Sequence, residues 1–268
     1  MNNNCIGVFD SGLGGLTCVK EIIRLMPEEN IVYFGDTGRV PYGTRSAQTI
    51  IKYTESDMRF LSEFSPKLVV VACGTVSTTA LDCIRNKFDV KVIGVVEPAA
   101  EAAAKITRNG KIGVIGTGRS INSGKYEQTL KNINCNFEVY SKSCPMFVPL
   151  VENGYLNSEA TRIIAREYLE PLKEKNVDTL IMGCTHYPLI KDIIAEIMGD
   201  KVTLIDPGKE TASYVKDMLS DEDVSTGKGS IKFYVSDKVE GFKESAEMFL
   251  NKKIEDNIET IDIEKYMN

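Results

Sequence analysis

The feature that most constrains this chain is an echo of itself. Ile6-Gly7-Val8-Phe9-Asp10-Ser11-Gly12 returns 106 residues later as Ile112-Gly113-Val114-Ile115-Gly116-Thr117-Gly118. Val70-Val71-Ala72-Cys73-Gly74-Thr75 returns as Leu180-Ile181-Met182-Gly183-Cys184-Thr185, with the two Cys 111 positions apart. In each copy an apolar run ends in a small, hydroxyl-bearing glycine turn, and a second apolar run further on ends in Cys with Thr one or two residues beyond it. Runs of this kind, apolar on both faces and closed by turn residues, read as buried strands of a parallel sheet. Ligands of open parallel sheets collect beyond the carboxyl ends of the strands. All four motifs therefore fall where a site forms, and two halves meeting face to face set two thiols across one cleft.

The rest of the chain supports the same architecture. Short β-branched runs alternate with segments of helical periodicity almost from end to end, the pattern of an α/β fold with largely parallel sheets. Strands are predicted at Cys5 to Phe9, Ile31 to Phe34, Leu68 to Ala72, Val92 to Val96, Lys111 to Ile115, Phe137 to Tyr140, Thr179 to Met182, Val202 to Ile205 and Ile231 to Val235. That number implies more than one sheet. Ser46 to Phe64 and Ser158 to Lys175 open on a capping Ser and carry apolar residues three and four apart, as core-facing helices do. A chain of 268 residues buries a sizeable core without cross-links.

Composition removes several classes of function. A net charge of −6 supplies no positive field for phosphate backbones or an anionic membrane, so nucleic acid is not an expected partner. The longest uncharged run, Leu68 to Leu81, has 14 residues, short of the roughly 20 a membrane helix needs. Met1-Asn2-Asn3-Asn4 lacks a basic n-region, so no secretory leader is read and a cytoplasmic location is expected. Seven Cys without a C-x-x-C pair, and a single His, fit reduced thiols better than disulfides or a metal site, and no metal is expected.

Cys is a common core residue, but Cys73 and Cys184 share a setting that the other five lack. Each stands at the end of a buried strand, where the following turn offers free N–H groups that favour thiolate. Two equivalent thiols facing one another suit inversion of a stereocentre, which needs a base on one face of a carbon and an acid on the other. An ordinary thiol, with a pKa of about 8.5, is only slightly ionised at pH 7 and needs a helper. Asp10 and His186 stand next to the motifs and are the candidates. Asp10-Ser11-Gly12-Leu13-Gly14-Gly15 is a weak dinucleotide signal, and Gly227-Lys228-Gly229-Ser230 precedes a strand and reads as a turn.

Four segments, taken together, resemble the glutamate racemase family of the aspartate/glutamate racemase superfamily. They are Val8 to Leu16, Tyr33 to Gly43, Gly94 to Ala99 and Gly183 to Leu189. The resemblance implies two pseudo-symmetric α/β domains with the active site in the cleft between them, divided as 1–97 plus 207–268 and 98–206. It implies cofactor-independent interconversion of L- and D-glutamate for peptidoglycan, with Cys73 and Cys184 as the bases, Asp10 assisting the first and His186 the second. It also implies that Asp10, Ser11, Tyr42, Gly43, Gly74, Thr75, Thr117, Thr185 and His186 hold the substrate and that Glu152 lines the cleft. A homodimer is left open.

One departure stands out. The family usually has Asn where this chain has Gly74, so a polar contact worth about 1 to 3 kcal/mol in a desolvated site is expected to be missing. Alternative readings are an aspartate or broad-specificity racemase, a non-catalytic regulatory protein on the same scaffold, and a thiol-based redox sensor.

Overall fold

The computed structural model describes residues 4–219, 225, 227–237, 242–254 and 258–267. Among the described residues, ten strands form two sheets. They are β1 (Ile6–Asp10), β2 (Ile31–Gly35), β3 (Leu68–Val71), β4 (Lys91–Gly94), β5 (Lys111–Gly116), β6 (Glu138–Ser143), β7 (Thr179–Met182), β8 (Thr203–Ile205), β9 (Ile231–Val235) and β10 (Ile258–Thr260). One sheet has the order β10-β9-β2-β1-β3-β4 and the other β6-β5-β7-β8. Every strand pairing is parallel.

The order makes the echo physical. Run as β2-β1-β3-β4, the first sheet has the sequence of the second, so β1 corresponds to β5 and β3 to β7. The repeated motifs thus end the two central strands of each sheet. In both sheets the chain winds outward in opposite directions from this central pair, which opens a crevice at the strands' carboxyl ends.

Side-chain alternation explains why both faces are covered. Ile6 and Val8 enter one apolar cluster with Leu16, Val19 and Ile22, while Phe9 enters another with Phe34, Ile50 and Met58. The second sheet divides similarly, with Leu180 and Met182 on one side and Ile181 on the other. The Ser46 and Ser158 caps are real: each hydroxyl accepts from the N–H three residues on, opening helices Ala47–Ser62 and Glu159–Glu174.

The chain passes to the second sheet through helix Val96–Ile106, which takes up Val96, predicted as strand; Pro98 is tolerated in its first turn. It leaves through helix Pro207–Met218, which packs on helix Leu16–Leu25, where the Cys18 thiol donates to the Gly208 carbonyl at 3.6 Å. Strand β10 was not predicted; three residues in an acidic stretch at a sheet edge carry too little pattern. Among the described residues, no helix is long and apolar enough to cross a membrane.

Candidate active site

The carboxyl ends of the central strands from both sheets face one cavity of about 350 Å³. Ser11, Tyr42, Gly43, Cys73, Gly74 and Thr75 line it from the first sheet's side, and Thr117, Glu152, Cys184, Thr185 and His186 from the second's. Val40, Pro41, Pro145, Val148 and Pro149 supply an apolar wall that the sequence motifs did not reveal. A further hollow of about 500 Å³, bordered by Arg85, Lys91, Glu97 and Tyr214, holds none of the paired motifs.

Cys73 is the N-cap of the short helix Gly74–Thr79 and is 5% exposed. Its thiol donates to Ser11 Oγ at 3.4 Å. Burial, and then the negative charge of Asp10, push the Cys73 thiol up to about 12, against the opposing pull of the Ser11 hydroxyl and nearby N–H groups. The helix N-terminus is thus outweighed by desolvation, and Cys73 rests protonated at neutral pH.

Asp10, at the end of β1, lies behind Ser11 and is outside the cavity lining. Its Oδ2 accepts from the Gly12 N–H at 2.9 Å, while its buried Oδ1 has no protein partner. Burial raises its pKa, opposed by the charge of His186 and the N–H groups of Gly12 and Gly15. The Asp10 charge disfavours the Cys73 thiolate, and the side chain hydrogen-bonded to the thiol is Ser11.

Cys184 is arranged differently. Its Sγ lies 3.8 Å from Nδ1 of His186, whose Nε2 is 3.0 Å from Oε1 of Glu152. Burial alone would lower the His186 pKa, but the Cys184 and Glu152 contacts outweigh it and raise the imidazole to about 10. Glu152 is thus more than part of the wall: it orients the ring. Gly14 makes the packing possible, since a Cβ there would lie 2.1 Å from Thr185 Oγ1 and 2.7 Å from His186 Nδ1. Thr17 Oγ1 donates to the Thr185 carbonyl at 3.1 Å, which ties the two sides together.

Hydroxyls bridge the cavity as well. Thr75 and Thr117 meet at 3.1 Å, and Thr117 in turn caps helix Gly118–Asn122. Tyr42 lines the cavity, yet its hydroxyl donates to Asp36 and Asp57 in a buried cluster completed by Arg39. Arg39 reaches Asp36 at 2.7 Å and Asp57 at 2.6 Å. The phenol is therefore occupied in holding the 40–44 loop, a role that the Tyr33 to Gly43 segment alone could not disclose because Asp57 comes from a distant helix. Cys144 also lines the cavity, but its thiol turns to the Lys142 carbonyl at 3.7 Å.

The sequence pattern of the Asp/Glu/Hydantoin racemase family matches residues 6–215. The chain belongs to this family. Glutamate racemase 2 of Caldanaerobacter subterraneus subsp. tengcongensis is 46% identical over 268 residues, covering 99% of this chain and all of the relative. The fold matches a glutamate racemase isoform from Bacillus anthracis with TM-score 0.93 and 37% identity, over 97% of each chain. It matches the Francisella tularensis glutamate racemase, solved in complex with D-glutamate, with TM-score 0.92 and 36% identity, over 99% of this chain and 100% of that one.

Within this racemase family site, the two thiols meet opposite electrostatics. A carboxylate stands behind one, and a His–Glu pair touches the other. Such a cleft can hold a proton donor on one wall and a proton acceptor on the other, with hydroxyls and N–H groups between them for a substrate's charged ends.

Proposed function

We propose that this chain is a glutamate racemase that exchanges the α-proton of glutamate between Cys73 and Cys184 without a cofactor. The observation that carries the reading is the pair of thiols, each ending the equivalent strand of its own sheet, on the wall of one cavity. In the L-to-D direction the Cys184 thiolate, paired with the His186 imidazolium, takes the α-proton of L-glutamate. The carbon then receives a proton from the Cys73 thiol on its other face. The product leaves Cys73 as thiolate and Cys184 as thiol, and proton exchange with solvent or the reverse reaction restores the start. Ser11, Gly43, Thr75, Thr117 and Thr185 supply donors for the charge that develops on the substrate carboxylate.

The same reading assigns residues 1–97 with 207–268 to one domain and 98–206 to the other, and places the enzyme in the cytoplasm, supplying D-glutamate for peptidoglycan, with a homodimer as an allowed assembly. Incubation with L- or D-glutamate in D₂O, without added cofactor, tests it. Loss of optical rotation with deuterium entering the α-position is expected from either enantiomer; unchanged rotation and no deuterium would overturn it.

A further inference from the structure

The two turns that carry Cys73 and Cys184 meet at one backbone contact. Gly74 follows Cys73, and Gly183 precedes Cys184. A Cβ on Gly74 would lie 2.5 Å from the Gly183 carbonyl oxygen and 3.4 Å from its carbon. Real Cβ atoms essentially never come within 3.0 Å of another atom, so any side chain at 74 must push that oxygen away.

The carbonyl has little freedom to swing aside. The Gly183 N–H donates to the Ile115 carbonyl at 2.7 Å, and the Cys184 N–H donates to the Met182 carbonyl at 2.7 Å. Behind the contact, a void bordered by Val95, Pro207 and Gly208 holds about 10 Å³, no more than one water needs. A push on Gly183 therefore displaces the whole turn and takes Cys184 with it.

We propose that Gly74 is a positioning residue whose missing side chain sets the separation of the two thiols. The inference rests on the two-thiol reading above. Proton exchange requires both sulfurs to reach opposite faces of one carbon at the same moment, and a misplacement of about 1 Å can cost on the order of a hundredfold. A reaction that uses one thiol is insensitive to that separation. Elimination of HCl from a β-chloro analogue of glutamate is such a reaction: one base takes the α-proton, a double bond forms to the adjacent carbon, and chloride leaves with its bonding electrons.

Gly74→Ala and Gly74→Asn test the assignment. Position 74 begins a helix and is not among the positive-φ glycines, so Ala meets no φ penalty there and its cost lies in the Gly183 contact. Gly74→Ala is expected to lose about 10- to 100-fold in racemisation kcat, with elimination from the enantiomer that faces Cys73 falling by a much smaller factor and melting within a few degrees of the parent. Gly74→Asn is expected to lose more. Undiminished racemisation by Gly74→Ala overturns the inference. Gly74→Asn faster than the parent overturns it in favour of a missing amide contact. Loss of both reactions with a lowered melting temperature makes Gly74 purely structural and also overturns it. A parent inactive in both reactions overturns the two-thiol reading itself, whereas an active parent with an unaffected Gly74→Ala overturns the inference alone.

Discussion

The turn after β3 and the turn after β7 hold the same residues, Cys then Thr, in equivalent places of equivalently ordered sheets, yet they are electrostatic opposites. Around Cys73, burial and the Asp10 carboxylate favour the neutral thiol, raised to about 12. Around Cys184, a His186 raised to about 10 is held between the sulfur and Glu152. The difference teaches that the repeated strand order supplies the geometry, while different neighbours set the charge. A carboxylate charge acts on one thiol and a cationic imidazole lies against the other, an asymmetry that the proposed two-thiol route would use.

The comparison breaks most decisively when either sulfur is removed. Cys73→Ala and Cys184→Ala should each lower racemisation by at least about a thousandfold. Each should still eliminate HCl from one enantiomer of the β-chloro analogue, and the two variants should prefer opposite enantiomers. Racemisation by Cys184→Ala near the parent rate would replace the two-thiol route with a one-base one.

Replacing a helper sharpens the comparison. His186→Asn should lower kcat/KM by about 10- to 100-fold, by the same factor in both directions, because enantiomers have equal free energy and the ratio of the two kcat/KM values stays at unity. The individual kcat values should fall unequally, with KM compensating, as steady-state kinetics with each enantiomer would reveal. Equal losses in both kcat values would count against pairing His186 with Cys184.

Asp10→Asn addresses the other wall. Without the carboxylate charge, the Cys73 pKa should come down, and each unit of decrease gives about a tenfold higher thiolate fraction below the pKa. Alkylation of Cys73 by iodoacetamide at pH 9, followed by mass spectrometry in a Cys184→Ala background, should accelerate by about threefold or more. An unchanged rate would mean that burial alone holds the proton.

The smallest effect is on stability. The His186 pKa is higher in the folded protein than its ordinary 6.5, so folding is favoured by its proton. That contribution is full below 6.5 and is lost as pH rises through about 10. The melting temperature of the parent relative to His186→Asn should therefore fall steadily across this window; a constant difference would remove the imidazolium from the account.

Much of this was legible in the sequence because duplication and alternation are local signals. Nine strands were predicted near their observed places, and the central ones, β1, β3, β5 and β7, read as continuous apolar runs because they are buried on both faces. Eleven of the twelve residues named from the sequence line the cavity; Cys73 and Cys184 stood out from the repeated motifs that end central strands, whereas Tyr42, Gly43 and Glu152 came only with the resemblance. Asp10 is the exception, and it could not be foreseen because adjacency along the chain places it beside Ser11 without saying which of the two reaches the thiol.

The sequence by itself determined two parallel α/β halves and the residues at their strand ends, since hydrophobic period and turn chemistry are properties of short segments. Tertiary structure decided the rest. Only packing of distant elements sets Glu152 against His186, occupies the Tyr42 hydroxyl with Asp36 and Asp57, and brings Gly74 to the Gly183 carbonyl. The physical reason is the same in each case. Burial and charge proximity depend on the distance between residues far apart in the chain, and it is these, rather than the identity of a Cys or a His, that decide which group holds a proton.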